Sequence, residues 1–214
     1  MKYSAHDIAQ VLLEAGAVVL APEQPFRFAS GLLSPIYCDN RLLLGQVAAR
    51  RTVAEALSQL ALREVIGAEV VAGTATAGIP WAAWVAEALT LPMAYVRSGA
   101  KAHGRGQQVE GGVVAGQKVL LVEDLVSKGG SALDAVAGLR KLDVTLADCC
   151  AIFSYGMPEA QERFGAAGVR LHCLTTLPAL LEVAIKHGFL LQAQHEIVAE
   201  WAADPAAWSA RRES

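Results

Sequence analysis

The chain has 214 residues, 54% of them hydrophobic and 18% charged, with a formal net charge of -3. That balance suffices for one domain with a sizeable core and excludes a disordered chain. No basic block is present to coat a polyanion, and no run of eighteen apolar residues free of charges and turn signals is present to span a membrane.

The N-terminal stretch carries acids and a histidine ahead of its apolar residues and shows no signal-peptide cleavage pattern, so a cytoplasmic protein is expected. Cys38, Cys149, Cys150 and Cys173 have no paired ligand spacing and read as small buried hydrophobes in a reducing compartment.

In chain order, Ser4 caps a helix with Asp7 three residues on. Ile8, Val11, Leu12 and Ala15 share a face, which predicts an amphipathic helix over 5–15. Residues 17–29 read as short strand material, and Ser30-Gly31 and Ser34-Pro35 as turns. Ile36–Cys38 is strand-like and ends in Asp39-Asn40-Arg41. A second helix is expected over 45–62, then a short strand over 69–72. The small-residue loop Gly73-Thr74-Ala75-Thr76-Ala77-Gly78 leads into a helix over 78–88, with Pro80 in its first turn. Trp81 and Trp84 on that helix read as packing residues. A strand over 93–96 runs into the basic, glycine-rich stretch 97–106, and residues 109–114 return as an edge hairpin.

Residues 117–138, QKVLLVEDLVSKGGSALDAVAG, organise the rest. They read as a buried parallel strand, an acidic strand end, a glycine-rich loop and a helix start, the helix continuing over 133–141. A strand over 146–153, a helix over 157–167 and a last core strand over 169–174 follow. A short helix then leads to a final amphipathic helix over 190–201, with a frayed tail after Asp204. Strands alternating with helices between about 65 and 175 predict an α/β fold with a doubly wound parallel sheet. The two chain ends are expected to pack together as a small cap.

Two adjacent acids on a buried strand are costly to desolvate, which marks Glu123 and Asp124 as functional. Carboxylates there suit sugar hydroxyls or a Mg²⁺ hydration shell. Backbone N–H groups of 128–131 at a helix start suit a phosphate monoester. The combination reads as a sugar-phosphate site. It has neither the G-x-G-x-x-G spacing of a dinucleotide fold nor a Walker A loop. The 73–78 loop suggests a second anion subsite, since small side chains let the backbone approach a ligand. Arg97, Lys101, His103 and Arg105 lie on the 97–106 stretch without balancing acids, which reads as a lid over a negatively charged leaving group. The remaining histidines, His6, His172, His187 and His195, read as structural or solvated.

The run Val119 to Ser131, VLLVEDLVSKGGS, resembles the phosphoribosyl-diphosphate motif of the type I phosphoribosyltransferases. Three further stretches resemble the orotate-specific branch of that family. They are the signature 26–41 (FRFASGLLSPIYCDNR), the diphosphate loop 72–80 (AGTATAGIP) and the flexible loop 95–104 (YVRSGAKAHG). A purine-specific relative or a non-catalytic sensor would share the 123–131 run. The 26–41 signature argues against the first, and the intact basic loop against the second.

The resemblance implies an open parallel sheet flanked by helices under a small hood. It divides the chain into an N-terminal helix and hood segment (1–42), a transferase core (43–185) with a flexible loop over 97–108, and a C-terminal helix and tail (186–214). It implies a Mg²⁺-dependent homodimer whose flexible loop reaches the neighbouring subunit's site, with Mg²⁺ held mainly through substrate and water. The substrates implied are orotate and phosphoribosyl diphosphate, with no nucleic acid or membrane partner. Position by position, Glu123 and Asp124 would hold the ribose hydroxyls. Leu125, Val126, Ser127, Lys128, Gly129, Gly130 and Ser131 would complete the phosphoribosyl site, with 127–131 on the 5-phosphate. Arg97, Lys101 and His103 would contact diphosphate and, with Asp124, form the catalytic set. Ser30, Gly31, Tyr37 and Ser127, with Arg41 alongside, would shape the orotate end.

The chain departs from the family pattern in places. Ser98 stands where the loop usually has lysine, so one diphosphate contact is lost or supplied elsewhere, as by Arg105. Ala77 stands where some members have lysine, 151–156 lacks an arginine that some place near orotate, and Glu123 replaces a common aspartate.

Overall fold

The computed structural model describes residues 2–28, 31–99 and 108–213. A six-stranded sheet forms its centre. The strands are β5 (Val70–Thr74), β6 (Met93–Val96), β7 (Val109–Glu110), β8 (Lys118–Val126), β9 (Thr145–Ser154) and β10 (Arg170–Thr176). Their spatial order is β10-β9-β8-β5-β6-β7; all neighbours are parallel except β7, which returns antiparallel to β6 at the edge. From β5 the chain first moves outward to β6, then crosses back to lay β8 on β5's other side. The order therefore reverses between β5 and β8, where an open α/β sheet leaves a crevice at its strand ends.

Period-two alternation sorts the strand residues between two faces. Val71, Leu120, Val122, Cys150 and Ile152 belong to one buried cluster; Val70, Ala72, Val119, Leu121, Cys149 and Ala151 belong to the other. Adjacent Cys149 and Cys150 thus point to opposite faces as small core residues, and all four cysteines are free thiols. The first face is covered by α1 (Ala5–Glu14), α2 (Val47–Glu64), α3 (Gly78–Leu89) and α6 (Leu177–Lys186). The second is covered by α4 (Gly130–Arg140) and α5 (Pro158–Ala166). The expected capping box holds α1: the Ser4 hydroxyl accepts from the Asp7 N–H, and the Asp7 carboxylate accepts from the Ser4 N–H. Trp81 is buried and packs edge-on against Trp84 with ring centres 5.1 Å apart, in line with the packing role expected.

The N-terminal hood consists of two small antiparallel ladders. β1 (Val18–Leu20) pairs with β4 (Ile36–Cys38), and β2 (Phe26–Arg27) pairs with β3 (Leu33–Ser34). The chain ends share the hydrophobic cluster of the sheet: Ile8 and Leu12 of α1 join Trp201 and Trp208 near the C-terminus.

Three expectations need correction. The acids do not end their strand: β8 runs on to Val126 because it keeps pairing with β9 through Leu125↔Phe153 and Val126↔Ser154, after β5 has parted at Val122. The final helix α7 (His195–Ala203) starts later than expected, because the Leu191 N–H is taken by the Gln194 side chain in a tight turn. The tail after Asp204 is not frayed. It forms α8 (Pro205–Glu213), started by the Asp204 carboxylate accepting the Ala207 N–H and anchored by Trp208 and Ser209, each 1% exposed. Among the described residues, no helix is long and apolar enough to cross a membrane.

Candidate active site

The reversal of strand order places Thr74, at the end of β5, beside Glu123 of β8. Glu123 is buried, and three donors meet its side-chain oxygens, which offsets the cost of taking them out of water. Oε1 accepts the Thr74 hydroxyl at 2.6 Å and the Asp124 N–H at 3.0 Å; Oε2 accepts the Ser131 hydroxyl at 3.0 Å. The three-residue cluster ties the 73–78 loop to the first turn of α4. Oε1 is saturated, and Oε2 keeps room for one further donor.

Asp124 is half-buried, and its carboxyl lies close enough to that of Glu123 to share a hydrogen bond with it. Burial, and then repulsion from Glu123, push its pKa up to about 7, although the backbone N–H groups of Asp124 and Leu125 favour the charged form. Its carbonyl accepts the Asn40 side-chain amide at 2.7 Å, and Asn40 is fully buried. Asn40 was not singled out from the sequence. It sits inside the Cys38-to-Arg41 run, but its role needs the hood laid against β8. Leu125 is half-buried and the Val126 side chain lies in the core, so these two contribute backbone to the site rather than side-chain contacts.

Beyond Val126, Ser127 and Lys128 are exposed, and Gly129 adopts φ +77°. A Cβ at Gly129 would lie 2.7 Å from the Phe164 ring, so glycine is required by space as well as by conformation. No side chain caps α4, which leaves its first-turn N–H groups open to an anion. The loop is braced from behind. Lys128 Nζ pairs with Glu159 at 2.8 Å, and Arg163 donates to the Lys128 carbonyl at 3.1 Å. Lys128 thus turns its side chain toward α5 and offers the site its backbone.

The 73–78 loop owes its glycines to packing. A Cβ at Gly73 would lie 2.8 Å from the Gly78 carbonyl, and one at Gly78 would lie 2.7 Å from the Val122 carbonyl. Glycine here brings the start of α3 against β5 and β8. Ala77 precedes α3 without capping it, so this helix start too lacks a side-chain cap. The Ala75–Thr76 peptide is cis.

Arg97 follows β6, with its N–H on the Gln108 carbonyl at 2.9 Å. The expected lack of balancing acids does not hold for it: Glu110 of β7 lies 3.8 Å from its guanidinium, because the edge hairpin folds back on β6. Lys101, His103 and Arg105 lie outside the described residues, as does Ser30. At the hood, Tyr37 is 40% exposed and groups with Phe26 and Phe28 at ring distances of 5.5 and 6.4 Å. Gly31 adopts φ +91°, and its carbonyl accepts from Arg27 at 2.8 Å. Arg41 makes a two-pronged pair with Asp39, at 2.7 and 2.8 Å. On 151–156, Tyr155 is buried against Trp201.

At the opposite end of β9 and β10, Asp148 is 1% exposed and takes two hydrogen bonds from Arg170 and one contact from His172, all at 2.8–2.9 Å. Burial opposes the charge, yet Arg170 and His172 hold the Asp148 carboxyl below its ordinary value. This cluster secures the edge strand, consistent with a structural His172.

One open edge therefore gathers two uncapped helix starts, a buried and a half-buried carboxylate, and a hood joined to them through Asn40. Residues 45–172 match the phosphoribosyl transferase domain family. The chain is 46% identical over 204 residues to the orotate phosphoribosyltransferase of Coxiella burnetii, covering 95% of this chain and 98% of that protein. It is 47% identical over 204 residues to the Bacillus anthracis enzyme of the same name, covering 94% and 97%. The crystal structure of orotate phosphoribosyltransferase from Aeropyrum pernix superposes with a TM-score of 0.74 at 33% identity, covering 86% of this chain and 99% of that one.

Proposed function

The chain belongs to the orotate phosphoribosyltransferases, and from that premise we propose how its residues divide the work. It transfers the 5-phosphoribosyl group of phosphoribosyl diphosphate to orotate, giving orotidine 5'-monophosphate and diphosphate for pyrimidine biosynthesis. The observation that carries the assignment of roles is the meeting of Glu123, Asp124 and the uncapped start of α4 at the β5–β8 reversal.

In this reading the N–H groups of 128–131 hold the 5-phosphate, with the Ser127 and Ser131 hydroxyls beside them. Asp124 takes a ribose hydroxyl, and Glu123 offers its one remaining acceptor position on Oε2. An orotate ring nitrogen displaces diphosphate at the anomeric carbon. Orotate deprotonates readily, so no strong protein base is demanded. The barrier lies in the oxocarbenium character of the sugar and in the departing charge. The carboxylates offset the first. Arg97, Lys101 and His103 stabilise the second, and closure of the 97–108 loop excludes water that would hydrolyse the sugar. Gly31, Tyr37, Ser30 and Ser127 shape the orotate end.

In the same reading a cation at this edge takes most of its ligands from substrate and water. The burial of Asp124 beside a second carboxylate suits it to a nearby Mg²⁺, which when bound neutralises charge on the diphosphate. The working unit is proposed to be a cytoplasmic homodimer in which the 97–108 loop serves the neighbouring site. An orotate-consumption assay, omitting Mg²⁺ and phosphoribosyl diphosphate in turn, tests the scheme together with Lys101→Ala. Turnover of that variant should fall at least about a hundredfold with an unchanged melting curve; near-parental turnover would remove Lys101 from the mechanism.

A further inference from the structure

The C-terminal arm, α7 and α8, takes no part in the chemistry above, yet it grips the hood at both ends of one hairpin. Ser209 of α8 is 1% exposed, and its Oγ accepts the Leu33 N–H, at the start of β3, at 2.9 Å. Gln194, just ahead of α7, donates to Glu23 Oε1 at 2.8 Å on the approach to β2. Trp208, beside Ser209, is buried in the cluster that contains Val18 and Ile36 of the hood.

The arm is in turn fixed to the sheet. Trp201 packs edge-on against Tyr155 at 5.3 Å, and Tyr155 against Phe153 of β9 at 5.2 Å. The Tyr155 N–H donates at 3.1 Å to the carbonyl of Val126, the last residue before the phosphate loop. Leu32 of the hood turn, Lys128 of the phosphate loop and the α7–α8 junction at Ala203–Pro205 all line one cavity of about 210 Å³. One contiguous set of contacts therefore relates the β2–β3 hairpin to the phosphate loop, and the arm is its middle.

We propose that the arm is a positioning element for the pyrimidine end of the site, with Ser209 as its key residue. The Ser209 hydroxyl holds the β2–β3 hairpin in register with the phosphate loop, so the pocket is assembled before orotate enters. This rests on the reading that the hood holds orotate. Ser209 touches no substrate and acts only through Leu33. Releasing it leaves a backbone N–H unpaired at the hairpin and leaves the phosphoribosyl side untouched.

The test is steady-state kinetics on the full-length enzyme, varying each substrate separately. Ser209→Ala should raise the orotate KM about threefold to tenfold, the worth of one such hydrogen bond, with kcat and the phosphoribosyl-diphosphate KM within about twofold of the parent. Exchange of the Leu33 amide with solvent should accelerate in the same variant. Glu23→Ala, which removes the exposed hood side of the Gln194 pair and leaves the Gln194–Leu191 turn in place, should shift the orotate KM in the same direction by less. Tyr37→Ala reports on the hood directly. An unchanged orotate KM in Ser209→Ala beside a raised one in Tyr37→Ala overturns the role of the arm alone. Unchanged values in both overturn the hood reading and the role of the arm with it. A parallel rise in both substrate KM values in Ser209→Ala marks general loosening and also overturns it.

Discussion

Replacing Thr74 by valine removes one hydroxyl from the crevice between β5 and β8 and conserves the side chain's shape. Thr74 is 3% exposed, and its hydroxyl lies 2.6 Å from Glu123 Oε1. A hydrogen bond to a charged group is worth about 1.5–3 kcal/mol. Valine fills nearly the same volume, so no cavity cost is added. The Asp124 N–H and the Ser131 hydroxyl still hold the Glu123 carboxylate, which limits the damage. The expected loss is about 2 kcal/mol, a factor of about 30 in the folding equilibrium. With a urea slope of about 2 kcal/mol/M, the unfolding midpoint should fall by about 1 M. The KM for phosphoribosyl diphosphate should rise as well, because Thr74 leads into the 75–78 turn and Glu123 loses its link to it. Ser131→Ala breaks the other arm of the tie at an exposed serine and should cost about 1 kcal/mol or less. The double variant should depart from additivity, since both hydroxyls serve one carboxylate. A Thr74→Val midpoint within about 0.2 M of the parent would refute the claim that this bond holds the crevice together.

Asp124→Asn tests the electrostatics of the site. The Asp124 pKa is raised from 3.8 to about 7 in the fold, so the native state holds a proton that the unfolded chain releases, and stability declines as pH rises through that window. The variant should therefore gain stability relative to the parent progressively between pH 3.8 and about 7; a constant difference in thermal melts across that range would contradict the assignment. Asp148→Asn acts with the opposite sign. The Asp148 carboxyl is held below its ordinary value, so its contribution is present above pH 3.8 and lost as pH falls through the lower folded value. The variant should lose about 2–3 kcal/mol at neutral pH by denaturant titration and converge on the parent in acid, with activity per folded molecule unchanged. Gly129→Ala meets both a left-handed backbone and the Phe164 ring. It should cost about 1–3 kcal/mol and raise the phosphoribosyl-diphosphate KM at least severalfold, with the orotate KM moving less.

The central strands and the phosphate loop were legible because their signals are contiguous. The apolar run at 119–122, the paired acids and the Gly129-Gly130 break each act on immediate neighbours. The length of β8 was not legible, because its last residues stay in the sheet only by pairing with β9. Nor was α8. Its arginines, its proline and its small residues suggest a solvated tail, and only the fit of Trp208 and Ser209 against the hood makes it a helix worth forming. The small residues at 73 and 78 were read as room for a ligand, whereas the structure uses them first as room for a neighbouring strand and helix.

Local signals were enough to mark the central strands, most of the helices, the main turns, and the short stretches that resemble those holding a sugar diphosphate. Such features depend on periodicity and turn chemistry within a few residues. The surroundings of the two acids follow from long-range packing. Glu123 meets Thr74 across 49 positions of sequence because β8 lies against β5, while the Asp124 backbone carbonyl is held by the Asn40 amide from the hood side. Two neighbouring acids thus acquire different surroundings, one met by three hydrogen-bond donors and one with its pKa raised to about 7. Strand order sets that difference, since it alone determines which distant donors reach each oxygen.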